Sequence, residues 1–541
     1  MARNESETRA ELIDPALKKA GWGVVEGSQI RREYPIAEGR LTGAGGQRQG
    51  SFKADYVLVF KGRDLVVIEA KSEANNYTEG LQQAKDYGQR LGLRFACSTN
   101  GKQIRWVDLK TGKEKDINAY PSPNDVWKLT FPQKNVWRDI FNSIPFAFKP
   151  DWSLRYYQGV AVTKALDAIA NGKKRVLLTL ATGTGKTDIA FQIARKLFKS
   201  SWTLAQDKTR LPRILFLADR NILADQAFNS FSAFNAFSDG ALVRVRPEEI
   251  KKSGYVPQNG SVFITIFQTL MSGSDDNRQT EPHFKSYEPD FFDIIFIDEC
   301  HRGGANDESQ WREILEYFSP ALQIGLTATP KRKDNVDTYA YFGEPIYIYS
   351  LKTGINDGYL TPFRLKSYST SVDDYTLQPG DTVVRGEAEV GQSFNQKQLD
   401  NDVLIREREL TRVKEFLNNI NSTEKTLVFC SDQDRALYIR DLFNELKNES
   451  SPDYCVRVTS DDGENGEQHL RIFQDNDKLF PTILTTSEKL STGVDARNIR
   501  HVVFLRKAHN IIEFKQIIGR GTRLYHTKDY FTIHDFAHTS D

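Results

Sequence analysis

The sequence predicts an α/β protein in which two parallel-sheet units follow a smaller α+β unit. From Lys173 onward, short β-branched runs alternate with longer amphipathic stretches, as expected of parallel strands buried between helices. Before Phe148 this alternation is absent. There, a helical opening at Glu5–Ala20 leads into a Gly/Gln-rich loop at Gly43–Gly50, a hairpin, and a helix near Thr78–Leu91.

The alternation occurs in two successive sets of candidate strands, each bounded by turn-forming residues. Pro145 and Pro150 bracket a linker before the first set, and a polar connector near 369–402 separates the two sets. We therefore predict domains at 1–148, 149–350 and 351–541. The first set comprises Arg175–Leu180, Arg213–Ala218, Val262–Ile266, Ile294–Ile297 and Gln323–Leu326. The second comprises Thr426–Cys430, Val456–Thr459, Thr482–Thr485, His501–Leu505 and Phe531–Ile533, with a helix at Asp434–Lys447.

Length, charge and cysteine content restrict the possible functions. A chain of 541 residues is long enough for three domains. Lys and Arg total 73 against 72 for Asp and Glu, so a polyanion site has to be local. The four cysteines are far apart and form no CxxC pair, which disfavours structural zinc and a disulfide framework. A charged N-terminus and the lack of a long apolar run predict a cytoplasmic protein without a membrane partner.

A phosphate-binding loop is predicted where the first strand ends. Gly183 and Gly185 allow backbone N–H groups to close around phosphate oxygens, Lys186 can reach the β- and γ-phosphates, and the Thr187 hydroxyl can bind Mg²⁺. The strict pattern has a further glycine where Leu180 stands. Such a turn can be purely structural, but its place between an apolar strand and a helical pattern favours phosphate binding. The complete segment is Ala181-Thr182-Gly183-Thr184-Gly185-Lys186-Thr187.

Two acids follow the apolar run Ile294–Ile297. Asp298 and Glu299 stand at the carboxyl end of this strand, where ligands bind in open α/β sheets. Asp298 is expected to hold Mg²⁺ through its water shell, and Glu299 to orient and polarise the attacking water. In isolation the pair could be an ordinary acidic strand end, but the predicted phosphate-binding loop favours a catalytic role.

Two arginines, Arg520 and Arg523, lie near Gln516, toward the end of the second α/β unit. Their spacing puts them on one face if the segment is helical. Planar guanidinium groups suit a γ-phosphate that is approached from a facing domain, as arginine fingers. The alternative is a solvated basic turn.

A hairpin in the N-terminal region holds a further set of charged residues. Lys53–Phe60 and Leu65–Lys71 are β-rich runs around a short turn, and a turn centred between Gly62 and Arg63 places Asp55 opposite residue 70. Glu69 and Lys71 then share a face on which Asp55 can converge. Two carboxylates offer oxygen ligands to Mg²⁺, and the lysine can position or deprotonate a water. The alternative is a solvated hairpin end.

The motifs between Leu154 and Arg523 resemble those of superfamily 2 helicase-like ATPases, which have two RecA-like domains and an Asp-Glu-x-His box. This resemblance implies that Gln158 reads adenine, that Thr327 and Thr329 couple hydrolysis to domain movement, and that Asp495 belongs to the fifth motif with Thr492. It also implies contacts with the nucleic-acid backbone. The candidates for DNA contact are Arg220, Thr269, Ser431 and Thr492.

The Asp55…Glu69-x-Lys71 pattern resembles the PD-(D/E)xK nuclease fold, although no proline precedes Asp55. On the following helix, Gln83 and Tyr87 match an accessory motif of some of these nucleases and face one side at their spacing of four.

A nuclease domain followed by this motor resembles the restriction (R) subunit of type I restriction-modification enzymes. The order of the domains favours this family over type III subunits, whose nuclease follows the motor. The resemblance implies ATP and Mg²⁺ as cofactors, double-stranded DNA and a methyltransferase core of modification and specificity subunits as partners, and a bacterial or archaeal cytoplasm. Family members continue into a helical region that docks on the methyltransferase, so we expect this chain to be a fragment.

Two alternatives remain at this point. One is a stand-alone repair or defence helicase whose N-terminal domain binds DNA without cutting. The other is a DNA-binding scaffold with an inert nucleotide site, against which the intact Lys186, Glu299, Arg520 and Arg523 argue.

Overall fold

The computed structural model describes residues 2–43, 47–150, 152–234, 237, 240–273, 281–300, 312–328, 338–368, 375–395, 398–399, 402–487, 490 and 494–539. The chain divides into two compact units. The first unit comprises Met1–Gly39, Gly50–Leu180 and Gly185–Ser350. The second unit comprises Arg40–Gln49, Ala181–Thr184 and Leu351–Asp541.

The N-terminal region of the first unit is built on a mixed sheet. Its helices are α1 (Glu5–Thr8), α2 (Asp14–Lys19), α3 (Leu81–Arg90), α4 (Pro123–Thr130) and α5 (Val136–Ser143), with a π-helical turn, Arg9–Ile13, between the first two. The strands are β1 (Ser28–Ala37), β4 (Phe52–Phe60), β5 (Arg63–Ala70), β6 (Phe95–Thr99), β7 (Ile104–Asp108) and β8 (Lys113–Ile117), while β2 (Arg40–Gly43) and β3 (Gln47–Gln49) belong to the second unit. Strands β1-β4-β5-β6-β7-β8 form the sheet in that order, and only β5 and β6 run parallel.

One face of this sheet packs against the N-terminal helices. Tyr56, Leu58 and Ile68 alternate along β4 and β5 and are fully buried beside Leu17 and Trp22. Because side chains alternate between the two faces of a strand, one face of the hairpin lies in the core.

The β4–β5 hairpin departs from the predicted register. A turn centred between Gly62 and Arg63 would pair Leu58 with Val67, but the turn is centred one residue earlier, since Phe60 pairs with Arg63. A β-bulge next to Leu58 then recovers one position, so that Leu58 pairs with Val66. The prediction that Asp55 lies opposite residue 70 is therefore wrong by one position. The predicted loop at Gly43–Gly50 is also wrong in part, since β2 and β3 form an antiparallel pair there.

A parallel sheet forms the rest of the first unit. Its strands are β9 (Arg175–Leu180), β10 (Ile214–Ala218), β11 (Leu242–Arg244), β12 (Val262–Ile266), β13 (Ile294–Asp298), β14 (Leu322–Thr327) and β15 (Tyr347–Tyr349), in the order β11-β12-β10-β13-β14-β9-β15. The described helices are α6 (Tyr156–Ala170), α7 (Lys186–Lys199), α8 (Asn221–Ala233), α9 (Pro247–Ser253), α10 (Phe267–Met271) and α11 (Thr338–Phe342), with a 3₁₀ turn at His283–Ser286.

The second unit contains another parallel sheet. After α12 (Leu351–Asn356) the strands are β16 (Phe363–Ser367), β17 (Tyr375–Thr376), β18 (Val383–Arg385), β19 (Ser393–Phe394), β20 (Leu404–Ile405), β21 (Lys425–Phe429), β22 (Cys455–Arg457), β23 (Ile483–Thr486), β24 (Ile499–Phe504) and β25 (Phe531–Asp535). The parallel sheet has the order β16-β25-β24-β21-β23-β22. The helices are α13 (Arg406–Leu417), α14 (Gln433–Leu446), α15 (Gly463–Gln474) and α16 (Ile511–Gly521), with a 3₁₀ turn at Ser460–Asp462.

The prediction of two parallel α/β sheets is confirmed, and the central strands begin and end within about three residues of their predicted bounds. The edge strands β11, β15 and β16 were not predicted, because short edge strands give weak alternation. In the described part of the connector near 369–402, β17 pairs with β19, and β18 pairs with β20, which lies just after the connector. Among the described residues, no helix is long and apolar enough to cross a membrane.

Candidate active sites

The β4–β5 hairpin brings Asp55, Glu69 and Lys71 together, and we call these three residues the hairpin site. Asp55 lies on β4, Glu69 is near the end of β5 with 4% of its surface exposed, and Lys71 follows directly. The Lys71 ammonium Nζ lies 3.1 Å from Glu69 Oε1. The backbone N–H of Ala70 donates a hydrogen bond of 2.7 Å to Asp55 Oδ2. The site is thus positioned by local backbone pairing.

Burial raises the pKa values of both acids of the hairpin site. It raises the pKa of Glu69 from 4.5 to about 7, with the nearby Asp55 charge as the second cause. Burial also raises the pKa of Asp55, against the opposing effects of the Ala70 hydrogen bond and the Arg9 charge. Both carboxylates are therefore costly to ionise without a cation.

A divalent cation fits the donors of the hairpin site. Glu69 Oε2 is buried and has no hydrogen-bond partner in the described structure. Within the described residues, no group of three or more His, Cys, Asp and Glu side chains could hold a metal. A cation here would have two carboxylates and would take its other ligands from water or substrate phosphate, which is the usual environment of Mg²⁺.

Arg9 is a neighbour of the hairpin site that the sequence did not reveal. Its Nη1 lies 3.4 Å from Asp55 Oδ1, its guanidinium carbon is 5.0 Å from the centre of the Tyr56 ring, and it also pairs with Glu33. Arg9 begins the π-helical turn between α1 and α2. A lone arginine in a helical opening gives no sequence signal for this position.

The predicted Gln83–Tyr87 pair forms on α3. Gln83 Nε2 donates a hydrogen bond of 2.7 Å to Tyr87 Oη, and the tyrosine is 4% exposed. The pKa of Tyr87 is raised, chiefly by burial and further by the charges of Glu69 and Asp55. The phenol therefore lies near the carboxylates of the hairpin site.

The predicted phosphate-binding loop connects β9 to α7. Gly183 and Gly185 have φ angles of 84° and 80°, which side chains rarely adopt. The Thr184 hydroxyl donates to the Ala181 carbonyl at 2.6 Å, which closes the turn. Lys186 and the half-buried Thr187 begin α7, so backbone N–H groups at a helix N-terminus are available to an anion.

Lys186, Asp298 and Glu299 meet within the first unit, and we call them the P-loop site. Lys186 Nζ lies 2.9 Å from Glu299 Oε1. Asp298 ends β13, and each acid is 8% exposed. Burial and the neighbouring Glu299 charge raise the pKa of Asp298 to about 7. Without a nucleotide, the lysine thus offsets the charge of the acids.

Gln158 lies against the loop. It is on α6 and is 3% exposed, and its Oε1 accepts a hydrogen bond of 3.1 Å from the backbone N–H of Arg155. A Cβ atom on Gly185 would lie 2.5 Å from Gln158 Nε2, so only glycine allows this approach. The side chain is therefore fixed beside the phosphate-binding turn.

The predicted arginines lie in the second unit. Arg520 is buried on α16 and donates to the Val494 carbonyl at 3.3 Å, and Arg523 pairs with Asp495. The two arginines do not share a helical face, because α16 ends at Gly521 and the predicted condition of a helix through both is not met.

The same unit contains Thr182 and Gly183, and these approach the α16 segment. A Cβ atom on Gly519 would lie 2.7 Å from Thr182 Cβ, and one on Gly183 would lie 3.6 Å from Arg523 Cγ. Gln516 is buried on α16.

The remaining predicted residues are scattered. Thr327 is buried at the end of β14, Arg220 precedes α8 with 36% of its side chain exposed, and Ser431 donates to Asp432 Oδ2 at 2.9 Å. Thr269 is buried, with 1% of its surface exposed. Thr329 and Thr492 lie outside the described residues.

Two family models match the chain. The description "Type III restriction enzyme, res subunit" matches residues 151–332, and "Helicase conserved C-terminal domain" matches residues 408–525. These regions contain most strands of the two parallel sheets.

Relatives and a solved structure match over nearly the whole chain. The endonuclease subunit of type I restriction enzyme EcoAI from Escherichia coli is 38% identical over 560 residues, which is 99% of this chain and 66% of the relative. The EcoKI endonuclease subunit from Escherichia coli K12 is 28% identical, over 96% of this chain and 50% of the relative. This chain therefore spans about half to two thirds of those proteins. A solved fragment from Vibrio vulnificus YJ016, assigned to the HsdR subunit of a type I restriction enzyme, is 37% identical with a TM-score of 0.79.

The Vibrio fragment and this chain cover 93% and 99% of each other. The match includes the N-terminal sheet that precedes the helicase-type sheets, which separates this chain from a helicase alone. The chain belongs to the endonuclease (R) subunits of type I restriction enzymes.

Proposed function

We propose that this chain moves along double-stranded DNA at the expense of ATP and cleaves the DNA away from the site where its complex first binds. The observation that carries this proposal is that one chain holds two separate sites, each built from two carboxylates and a lysine. Region 1–148 would be the nuclease domain, and 149–350 and 351–541 the two motor domains.

In the motor, we assign nucleotide binding to the P-loop turn and Gln158. The Lys186–Glu299 ion pair of 2.9 Å supports this, because an arriving triphosphate offers the lysine a stronger partner and leaves Glu299 to orient the attacking water. Asp298 would hold Mg²⁺ with Thr187. Arg520 and Arg523 would stabilise the charge that develops on the γ-phosphate.

In the nuclease, Asp55 and Glu69 would hold a divalent cation, for which we propose Mg²⁺. Bound there, the cation would supply charge stabilisation at the scissile phosphate. Lys71, which lies 3.1 Å from Glu69, would orient the water that attacks. Gln83 and Tyr87 would position the DNA beside these residues.

As partners we propose double-stranded DNA and a methyltransferase core of modification and specificity subunits. Recognition of the DNA sequence would then belong to another subunit. Because the motor consumes ATP on DNA, we propose the cytoplasm of a bacterial or archaeal cell as its location.

The proposal is tested by ATP turnover with and without linear double-stranded DNA. We expect DNA to stimulate turnover, and Lys186→Ala to abolish it. Lys199→Ala, at the exposed far end of the same helix, is the matched control. Turnover by Lys186→Ala at the normal rate would overturn the motor assignment. A translocase should also displace a triplex-forming strand from a duplex, whereas efficient unwinding of a blunt duplex would favour the repair-helicase alternative.

A further inference from the structure

The segment that joins the N-terminal sheet to α6 is attached along the P-loop helix, α7. We call residues 144–150 together with Trp152 the strap. Opposite the strap, α7 presents a row of polar side chains at Asp188, Gln192 and Lys196. This spacing of four residues places them on one helical face.

The row is buried although it is polar. Gln192 is 0% and Lys196 is 5% exposed, and both side chains bond to the strap or to the end of α5. Gln192 exchanges two hydrogen bonds with the backbone of Ala147, of 2.8 and 3.0 Å. Lys196 donates to the Phe141 carbonyl at 3.0 Å. Since buried polar groups are costly without partners, the strap is a fixed neighbour of this helix.

At the other end of the row, on the first turn of α7, Asp188 bonds to both the strap and α8. Its Oδ1 accepts from Lys149 Nζ at 3.0 Å and from the Ser230 hydroxyl of α8 at 3.1 Å. Its Oδ2 accepts from the indole N–H of Trp152 at 3.2 Å. Asp188 Oδ2 also lies 3.3 Å from the position a Cβ would take on Gly185. The carboxylate therefore touches both the strap and the phosphate-binding turn.

The N-terminal end of the strap continues into contacts with the nuclease-type sheet. A Cβ atom on Gly62, in the β4–β5 turn, would lie 2.4 Å from the Asn142 carbonyl oxygen of α5. The next residue, Arg63, pairs with Asp167 of α6 through contacts of 2.7 and 3.2 Å. The turn between the two strands that bear Asp55 and Glu69 is thus fixed by α5 and α6, the helices that precede and follow the strap in the chain.

We infer that Asp188 is a positioning residue through which the strap senses and sets nucleotide binding at the P-loop. The inference rests on the proposed ATPase function and names a regulatory contact of that site. A carboxylate on the first turn of α7 repels an arriving triphosphate, and Lys149 offsets that charge. The Lys149–Asp188 ion pair therefore increases the affinity of the P-loop for phosphates. Because this coupling is reciprocal, bound nucleotide in turn favours the strap position in which the ion pair is formed.

The inference is tested by a double-mutant cycle on Lys149→Met and Asp188→Asn. Lys149→Met leaves the carboxylate uncompensated, so the KM for ATP should rise about fivefold while kcat changes little. Asp188→Asn removes the repulsion and keeps an acceptor for Trp152. The double variant should therefore return close to the KM of Asp188→Asn alone. Lys134→Met, an exposed lysine just before α5, is the matched control.

A second measurement reports the strap directly. Titration with ADP should change the tryptophan fluorescence of the protein, and this change should be largely lost in Trp152→Phe. If Lys149→Met lowers thermal stability but leaves KM unchanged, or if Trp152→Phe retains the full change, the inference is wrong. Activity of Lys186→Ala separates this inference from the proposed function. If that variant is inactive, the ATPase assignment holds even when the inference about the strap is wrong, whereas an active variant contradicts the ATPase assignment itself.

Discussion

The hairpin site and the P-loop site use the same three kinds of group in different structural settings. Each has two acids that are buried or, in the case of Asp55, half-buried, and a lysine about 3 Å from one of them. In each, burial raises the pKa of one acid to about 7, that of Glu69 in the first and of Asp298 in the second. The chemistry of the two sites therefore differs in what surrounds the acids rather than in the acids themselves.

The two sites are assembled over different distances along the chain. Glu69 and Lys71 are neighbours on one strand end, so a hairpin suffices to form the pair. Lys186 and Glu299 are 113 residues apart and meet because β9 and β13 flank β14 in a parallel sheet. Parallel strands bring their carboxyl ends to one edge, where open α/β sheets bind ligands. The P-loop site thus depends on the whole sheet.

The largest expected effect comes from the two arginines that are proposed to act on the nucleotide at the P-loop site from outside its three residues. Arg520→Ala and Arg523→Ala should each lower ATP turnover about 1,000-fold while changing ATP affinity little, because a finger acts on the transition state. Arg497→Ala, an exposed arginine of the second unit, is the control. Steady-state turnover and equilibrium nucleotide binding measure the two quantities. A loss confined to binding would contradict the assignment.

The lysines should not be equivalent. Lys71→Met should lower DNA cleavage about 100-fold, as expected for loss of a group that positions or activates water. ATP turnover should remain normal, since Lys71 contacts Glu69 and not the P-loop site. Lys115→Met, on the exposed strand β8, is the matched control. Cleavage of supercoiled plasmid by the assembled complex is the measurement, and unchanged cleavage would identify Lys71 as a solvated strand end.

The raised pKa of Glu69 predicts a pH-dependent stability. Because its folded value is about 7 and its ordinary value is 4.5, ionisation costs folding free energy increasingly between these values and fully above them. Glu69→Gln should therefore raise the unfolding free energy by on the order of 1–3 kcal/mol near pH 8 and by almost nothing near pH 4. Urea unfolding in the presence of a chelator tests this. An equal gain at both pH values would show that Glu69 does not titrate near 7.

The smallest expected effect concerns Arg9. Its guanidinium, 3.4 Å from Asp55, competes with a cation for that carboxylate. Arg9→Ala should therefore tighten Ca²⁺ binding to the hairpin site about threefold in calorimetric titration. Arg32→Ala, which pairs with Asp14 instead, serves as the control. Weaker Ca²⁺ binding by Arg9→Ala would show that the arginine holds Asp55 in place for the cation rather than competing with it.

Motifs with local spacing were predictable, and contacts between distant segments were not. The P-loop turn, the acids after β13 and the Asp55–Glu69–Lys71 set all follow from residue types at strand ends. The register of the hairpin was wrong because the turn is centred one residue earlier than predicted, and neither the turn centre nor the compensating bulge leaves a mark in an alternating apolar run.

The missed residues share one property, which is that their partners are far away in sequence. Arg9 reaches Asp55 across 46 residues, and Asp188 reaches Lys149 across 39. The burial of Thr269 is likewise a property of the fold that its motif does not show. Sequence patterns report local geometry, whereas these positions depend on tertiary packing.

The central claim is that the hairpin site and the P-loop site are separate catalytic centres in one chain. It is tested most directly by measuring ATP turnover and plasmid cleavage on the same preparations of Lys186→Ala, Glu69→Gln and the unaltered protein, each assembled with its partner subunits. We predict that Glu69→Gln loses cleavage and keeps DNA-stimulated turnover, whereas Lys186→Ala loses turnover and, with it, cleavage that depends on translocation. If Glu69→Gln loses turnover together with cleavage, or keeps both, the claim of two separate centres is contradicted.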